Sequence, residues 1–210
     1  FSINEGEKVG LIGINGTGKS SFLRVLAGQQ PPDQGSVTRD PNVQVCFLPQ
    51  NPPMEAGATV LEQVFAGFSP DTRALLDYEA KAMLTRLGLT DFAQPVGTLS
   101  GGQRKRVALA AVLLHPADVL ILDEPTNGLD IEATVEMREV ILRLAKEKGV
   151  TFLVASHLAA EIEKMCDKVL VLYEGEMLSF DTKEEALRLN PSLEDYFLAK
   201  VRDKKGSVVL

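Results

Sequence analysis

The sequence predicts an α/β fold: a largely parallel sheet with a helical subdomain inserted into it. Three observations carry that expectation. Short apolar stretches of strand character alternate with helical patterns along most of the chain, the order that parallel sheets require. One of them, Val119-Leu120-Ile121-Leu122, is apolar at every position, which suits a strand covered on both faces. Between residues 59 and 89 the pattern turns wholly helical, which reads as an insertion into the alternating core.

Taken in order, Phe1-Ser2-Ile3 resembles the end of a strand and Asn4-Glu5-Gly6-Glu7 a turn, so an N-terminal strand is expected to be missing. Lys8-Val9-Gly10-Leu11-Ile12 reads as a buried strand. Residues 19–27 read as a helix with Phe22, Leu23, Val25 and Leu26 available to pack inward. After the turn signal Pro31-Pro32-Asp33-Gln34-Gly35, two strands are expected, at Ser36-Val37-Thr38 and at residues 43–48, the second ending at Pro49-Gln50. In the helical stretch, Val60, Leu61, Val64 and Phe65 form one face and Leu75, Leu76, Met83, Leu84 and Leu87 another, with Gly88 as a stop. Leu99-Ser100-Gly101-Gly102-Gln103 opens a helix that His115-Pro116 closes. The apolar strand at 119–122 delivers Asp123 and Glu124, and a long helix over 131–148 ends at Gly149. Strand 151–155 leads to Ser156-His157 and to a helix through Met165. A hairpin folds around Glu174-Gly175, and two terminal helices follow, the first capped by Asp181 or Thr182. The resulting map is a single domain over 1–210. Residues 1–50 and 115–180 form the α/β core, 51–114 the helical subdomain and 181–210 the C-terminal helices.

Composition narrows the function classes. The 210 residues are 45% hydrophobic and 24% charged, ordinary for a globular chain, and no apolar run approaches the roughly 20 residues of a membrane span. A net charge of −7 argues against a broad nucleic-acid surface. The basic run Arg104-Lys105-Arg106 and the one near Lys200 read as solvated faces. Cys46 and Cys166 read as buried thiols in a reducing compartment.

The chemistry begins at Gly13-Ile14-Asn15-Gly16-Thr17-Gly18-Lys19-Ser20, which has the G-x-x-x-x-G-K-S spacing of a phosphate-binding loop, between a strand and a helix. Glycines there let the backbone approach an anion, and successive N–H groups with the helix N-terminus form a nest for phosphate oxygens. Lys19 reaches the terminal phosphates as a point charge, and the Ser20 hydroxyl is placed to ligate Mg²⁺, with Ser21 next along the helix. Hydrolysis of a phosphoanhydride then needs a metal ligand and a group that orients water. Asp123 fits the first and Glu124 the second, both at a strand's C-terminal end where open α/β sheets place their sites. Gln50 can reach the metal or the water, and His157 the γ-phosphate; His115 is read as structural. Ser100-Gly101-Gly102, at a second helix start, is another anion site by the same dipole argument, which suggests a site shared between chains.

These motifs, in this order, resemble the ATP-binding cassette (ABC) family over nearly the whole chain: residues 13–20, Gln50, 99–103, 119–130 and Ser156-His157. The resemblance implies a P-loop NTPase fold with a RecA-like core, ATPase activity with Mg²⁺, and a head-to-tail dimer holding two ATP molecules between two cassettes, identical or different. In it Gly13, Asn15, Gly16, Thr17, Gly18, Lys19, Ser20, Ser21, Gln50, Asp123, Glu124 and His157 act on one ATP. Ser100, Gly101, Gly102 and Gln103 reach the ATP of the partner, and Asp130 couples the two sites. The aromatic residue that stacks on adenine in the family lies upstream of the phosphate loop and is absent from the sequence.

Within the family the two halves point to different branches. Residues 77–80 and 91–110 look like ABC-F proteins, tandem cassettes that act on ribosomes, whereas residues 128–130, 156–169 and 192–197 resemble ATP-binding subunits of exporters. The expected function is the ATP-hydrolysing subunit of an ABC transporter, cytoplasmic and peripheral at the inner face of the cell membrane. It would dock on membrane-embedded subunits through the cleft near Gln50 and the helices of 59–89, without inserting into the membrane. The alternatives are an ABC-F-like, ribosome-associated ATPase or one cassette of it, and a nucleotide-binding module without turnover.

Overall fold

A computed structural model describes residues 1–207. Six strands form one sheet: β1 (Lys8–Ile12), β2 (Val45–Leu48), β3 (Val119–Asp123), β4 (Thr151–Ser156), β5 (Lys168–Tyr173) and β6 (Glu176–Thr182). Their order across the sheet is β2-β3-β4-β1-β5-β6. All neighbours run parallel except β5 and β6, the antiparallel hairpin at one edge. The register aligns Ile12 with Ser156 and Asp123 with Ala155, so β1, β4 and β3 end almost flush. Whatever follows those three strands meets at one rim of the sheet.

Alternate residues of each strand face opposite layers. On one face Val9, Leu11, Ile121, Leu153 and Leu170 pack with Leu23 of α1 (Lys19–Leu26). The other face, with Leu120, Leu122, Phe152, Val154, Val169 and Val171, carries the larger core. It is covered by α4 (Gly101–Leu114), α5 (Ile131–Lys148) and α6 (Ala159–Met165). Gly10 is what lets α6 lie so close to β1: a Cβ on it would fall 2.0 Å from Ile162 Cγ2.

The inserted helices are α2 (Val60–Val64) and α3 (Pro70–Arg86), which pack on α4. Each start carries its own signal. Thr59 and Glu62 form a capping box, and Ser69 caps α3 with Pro70 in the first turn. Val60, Val64, Leu84, Leu87, Val107 and Leu109 are fully buried between them. Gly88 ends α3 in the left-handed region, φ 72°. At the C-terminal side, α7 (Lys183–Arg188) starts with a Thr182–Glu185 capping box, and α8 (Leu193–Ser207) follows. The buried Tyr196 hydroxyl donates to Asp181 and accepts from the Ser179 hydroxyl, both on β6, and burial together with the Asp181 carboxylate pushes the phenol up.

Four expectations are corrected. Ser36-Val37-Thr38 is exposed and forms no strand, because no neighbour offers it a ladder. Phe1-Ser2-Ile3 is likewise unpaired backbone; the Phe1 ring is held instead against Phe22 and Phe180. The strand expected over 43–48 is shorter, starting at Val45. Leu75, assigned to the inner face of α3, is 83% exposed, since α3 buries mainly Ala80, Met83 and Leu84 near its C-terminal end. The thiols are free, Cys166 buried and Cys46 half-buried, and burial pushes Cys166 up to about 12. Residues 208–210 of the expected C-terminal helices lie outside the described residues.

Candidate active site

The rim where β1, β3 and β4 end gathers the residues singled out by sequence. β1 runs directly into the loop 13–18, in which Gly16 and Gly18 take φ values of 83° and 93° that side chains with a Cβ rarely adopt. Gly13 is crowded in a different way: a Cβ there would sit 2.6 Å from the Leu172 carbonyl oxygen and 2.8 Å from Thr17 Oγ1. The buried Thr17 hydroxyl donates to the Ile14 carbonyl, closing the loop on itself, while Asn15 and Gly16 face solvent. Gly175, in the β5–β6 turn, donates its N–H to the Thr17 carbonyl at 3.0 Å, so the hairpin braces the loop from outside.

Lys19 is buried at the first turn of α1. Its Nζ donates to the Gly13 carbonyl at 2.6 Å and to the Ile14 carbonyl at 3.3 Å, and lies 3.1 Å from Glu124 Oε1. Glu124 follows β3 in the left-handed region, φ 50°, where a non-glycine residue is strained. Its second carboxylate oxygen meets His157 Nδ1 at 2.7 Å, and His157 is the residue directly after β4. A carboxylate thus stands between an ammonium from the β1 loop and an imidazole from β4. Backbone contacts hold it there: the Glu124 N–H donates to the Ala155 carbonyl, and its own carbonyl accepts from the Asn127 N–H and from Lys105 Nζ.

Asp123, buried at the end of β3, has its carboxyl pushed up chiefly by burial. The Ser20 hydroxyl pulls it back, the Glu124 charge pushes it up, and Lys19 and Arg24 pull it down. Asp123 Oδ1 is buried without a hydrogen-bond donor, and Glu124 Oε1 has no aligned donor although the Lys19 ammonium is near. Among the described residues no cluster of three or more His, Cys, Asp or Glu could enclose a metal. The donor set fits a hard cation held from one side only, by the orphaned Asp123 oxygen and the Ser20 hydroxyl, with phosphate oxygens completing the shell. That is the way Mg²⁺ is commonly bound. Gln50 lines the same crevice as Asp123, Glu124 and Lys105, with a volume of about 10 Å³, close to what one water needs.

The remaining predicted residues lie elsewhere. Ser100 caps α4, accepting from the Gln103 N–H, while Gln103 Oε1 accepts from the Ser100 N–H. Among the described residues no hydrogen bond or ion pair joins Ser100, Gly101, Gly102 or Gln103 to the phosphate loop. Gly102 backs onto the Gly128 carbonyl, which a Cβ would approach to 3.0 Å. Asp130 caps α5 through the Ala133 N–H and lies 3.7 Å from Arg106. Ser21 is exposed. One neighbour of the site escaped sequence reasoning: Lys105, in a basic run read as a solvated face. In the structure Lys105 and Arg106 are half-buried and bonded to backbone carbonyls, and Arg104 Nη1 donates to Leu99. Its place in the helix that opens with Ser100-Gly101-Gly102 was the available signal.

Residues 1–127 match the ABC transporter family. The chain belongs to the ATP-binding cassette family. Its curated relatives include two uncharacterized ABC transporter ATP-binding proteins of Bacillus subtilis (strain 168). YfmR is 37% identical over 86% of this chain and 34% of its own length; YhcH is 32% identical over 100% of this chain and 72% of its own. The chain therefore spans about a third of the YfmR relative. Among solved structures, an ATP-binding subunit of an ABC transporter superposes with a TM-score of 0.84 over 96% of this chain and 90% of that one, at 24% identity, a likeness of fold. The fold class expected from sequence, a P-loop α/β core with a mostly parallel sheet, is the one observed. No helix among the described residues is long and apolar enough to cross a membrane.

Proposed function

We propose that this ABC cassette is the ATP-binding and ATP-hydrolysing subunit of a transporter, closing head-to-tail with a second cassette around two Mg-ATP molecules. The observation that carries the reading is Glu124 fixed between Lys19 and His157 at the mouth of the phosphate loop. The backbone N–H groups of residues 13–18 and the start of α1 receive the β- and γ-phosphates, and Lys19 exchanges its loop carbonyls for phosphate oxygens. Ser20 and Asp123, with Gln50 in the same crevice, would hold Mg²⁺, which would supply neutralisation of charge on the phosphates. Glu124 takes the proton of the attacking water and His157 orients that carboxylate through Nδ1, leaving Nε2 for the γ-phosphate. Ser100, Gly101 and Gly102 at the start of α4 would reach the nucleotide of the partner cassette; among the described residues they make no hydrogen bond or ion pair to their own phosphate loop.

The names of the relatives support the transporter role. In that role the protein sits at the inner face of the membrane and docks on membrane-embedded subunits through α2, α3 and the cleft near Gln50. Recovery of ribosomes and no membrane protein in a pull-down would replace this role with a ribosome-associated one.

The test is Glu124→Gln, which removes the base and keeps the cradle. Phosphate release falls by about 10²–10⁴-fold while Mg-ATP binding persists. Light scattering then shows a monomer that becomes a dimer only with Mg-ATP. Phosphate release unchanged by the substitution overturns the catalytic assignment; a monomer in both conditions overturns the self-paired dimer.

A further inference from the structure

Glu124 is the strained residue of the site, and Lys19 and His157 account for its side chain only. The backbone that carries it is held by a different set. The Glu124 N–H is fixed to Ala155 of β4 and its carbonyl to the Asn127 N–H in the turn that follows. Among the described residues, one side chain hydrogen-bonds this backbone, and it comes from the helical side of the molecule: Lys105 Nζ donates to the Glu124 carbonyl at 3.3 Å. Lys105 is half-buried and lines the crevice that also contains Gln50, Asp123 and Glu124. A long, flexible cation placed there, in a crevice of about 10 Å³, is an expensive choice unless its charge is used.

We infer that Lys105 is a positioning residue for hydrolysis, fixing the Glu124 peptide in its left-handed conformation and tying α4 to the carboxylate that activates water. The inference rests on the catalytic reading of Glu124 proposed above. The physical argument is one of leverage. A residue at φ 50° stays there only while its surroundings over-determine it. Without the ammonium, the carbonyl keeps one donor, Asn127, and the peptide is free to rotate toward ordinary values. Rotation of that peptide swings the carboxylate away from the water position while leaving the loop 13–18, Lys19 and Ser20 as they are. Nucleotide binding is untouched and turnover falls. The same bond makes the helix that starts at Ser100 a mechanical neighbour of the hydrolytic group of its own cassette. Displacement of α4 is thereby felt at Glu124.

The experiment compares Lys105→Met, Lys105→Arg and Glu124→Gln in steady-state phosphate release. Expected for Lys105→Met is a kcat lower by about 10- to 100-fold with KM for Mg-ATP within about twofold of the parent, the size of effect that misplacement of a reacting group produces. Lys105→Arg, which keeps a donor and a charge at similar reach, restores most of kcat. Melting temperatures of both variants within a few degrees of the parent place the loss at the site. Should Lys105→Met fold poorly, Lys105→Leu, which likewise carries no donor, serves the same comparison. Wild-type kcat in Lys105→Met, or an equally large loss in Lys105→Arg, overturns the positioning role. If Glu124→Gln itself still turns over, the catalytic reading beneath it fails instead, so the two failures are distinguishable.

Discussion

A buried carboxylate with an orphaned oxygen is a cost to the fold. Asp123 carries one at the end of β3, and burial raises its carboxyl. A group whose folded-state affinity for a proton is raised adds stability below its unfolded value, here 3.8. It loses that contribution as pH rises through the folded value. At neutral pH the charge therefore works against folding, and Asp123→Asn is expected to melt at a higher temperature than the parent without nucleotide, while losing Mg-ATP turnover. Thermal melts with and without Mg-ATP check both halves; a lower nucleotide-free melting temperature contradicts the account. The candidate site has a sequence correlate: Asp123 ends a strand, Glu124 and His157 each follow a strand end, and Lys19 follows a glycine loop, which made them legible. Lys105 was not. A lysine in a helix pattern looks the same whether its tip meets water or a carbonyl, and only the packing of α4 against the β3 rim decides which.

At the scale of elements, caps and apolar periods placed α4, α5 and the parallel strands well, since Ser100, Gly149 and Val119-Leu120-Ile121-Leu122 act locally. Elements whose existence depends on a partner were misread. Ser36-Val37-Thr38 has strand residues but pairs with no strand among the described residues. In α3, Leu75 was grouped on one face with Leu76, Met83, Leu84 and Leu87, yet it is exposed, because the neighbouring helices cover only part of the helix's length. Gly10 shows the reverse case, a strand residue whose importance lies in the helix above it. Gly10→Ala puts a methyl group 2.0 Å from Ile162 Cγ2 and should cost about 1–3 kcal/mol in urea unfolding. Ile162→Ala, destabilising alone, should recover part of that loss in the double variant. Strict additivity of the two would show that the clash is relieved by some other movement.

Across the whole molecule, the sheet register is what turns scattered motifs into one site, and register is invisible in the motifs themselves. Ile12 pairs with Ser156 and Asp123 with Ala155, so the three strands end within one residue of one another. The start of α4, by contrast, makes no hydrogen bond or ion pair to the phosphate loop among the described residues. Ser100 nevertheless has a local duty. Its oxygen receives the Gln103 N–H, so replacing it with alanine would disturb the helix and any intermolecular contact together. The two duties differ in direction: the cap uses the serine oxygen as an acceptor, whereas a phosphate needs its hydrogen. Aspartate keeps the acceptor and reverses the electrostatics. In a Glu124→Gln background, Ser100→Asp should therefore melt like its parent yet stay monomeric in Mg-ATP by light scattering, and a dimer would show that Ser100 does not meet the partner's phosphate. On the proposed pairing of two cassettes, one hydroxyl serves as a folding signal inward and as half of a handshake outward, and a single carboxylate would silence the second while preserving the first.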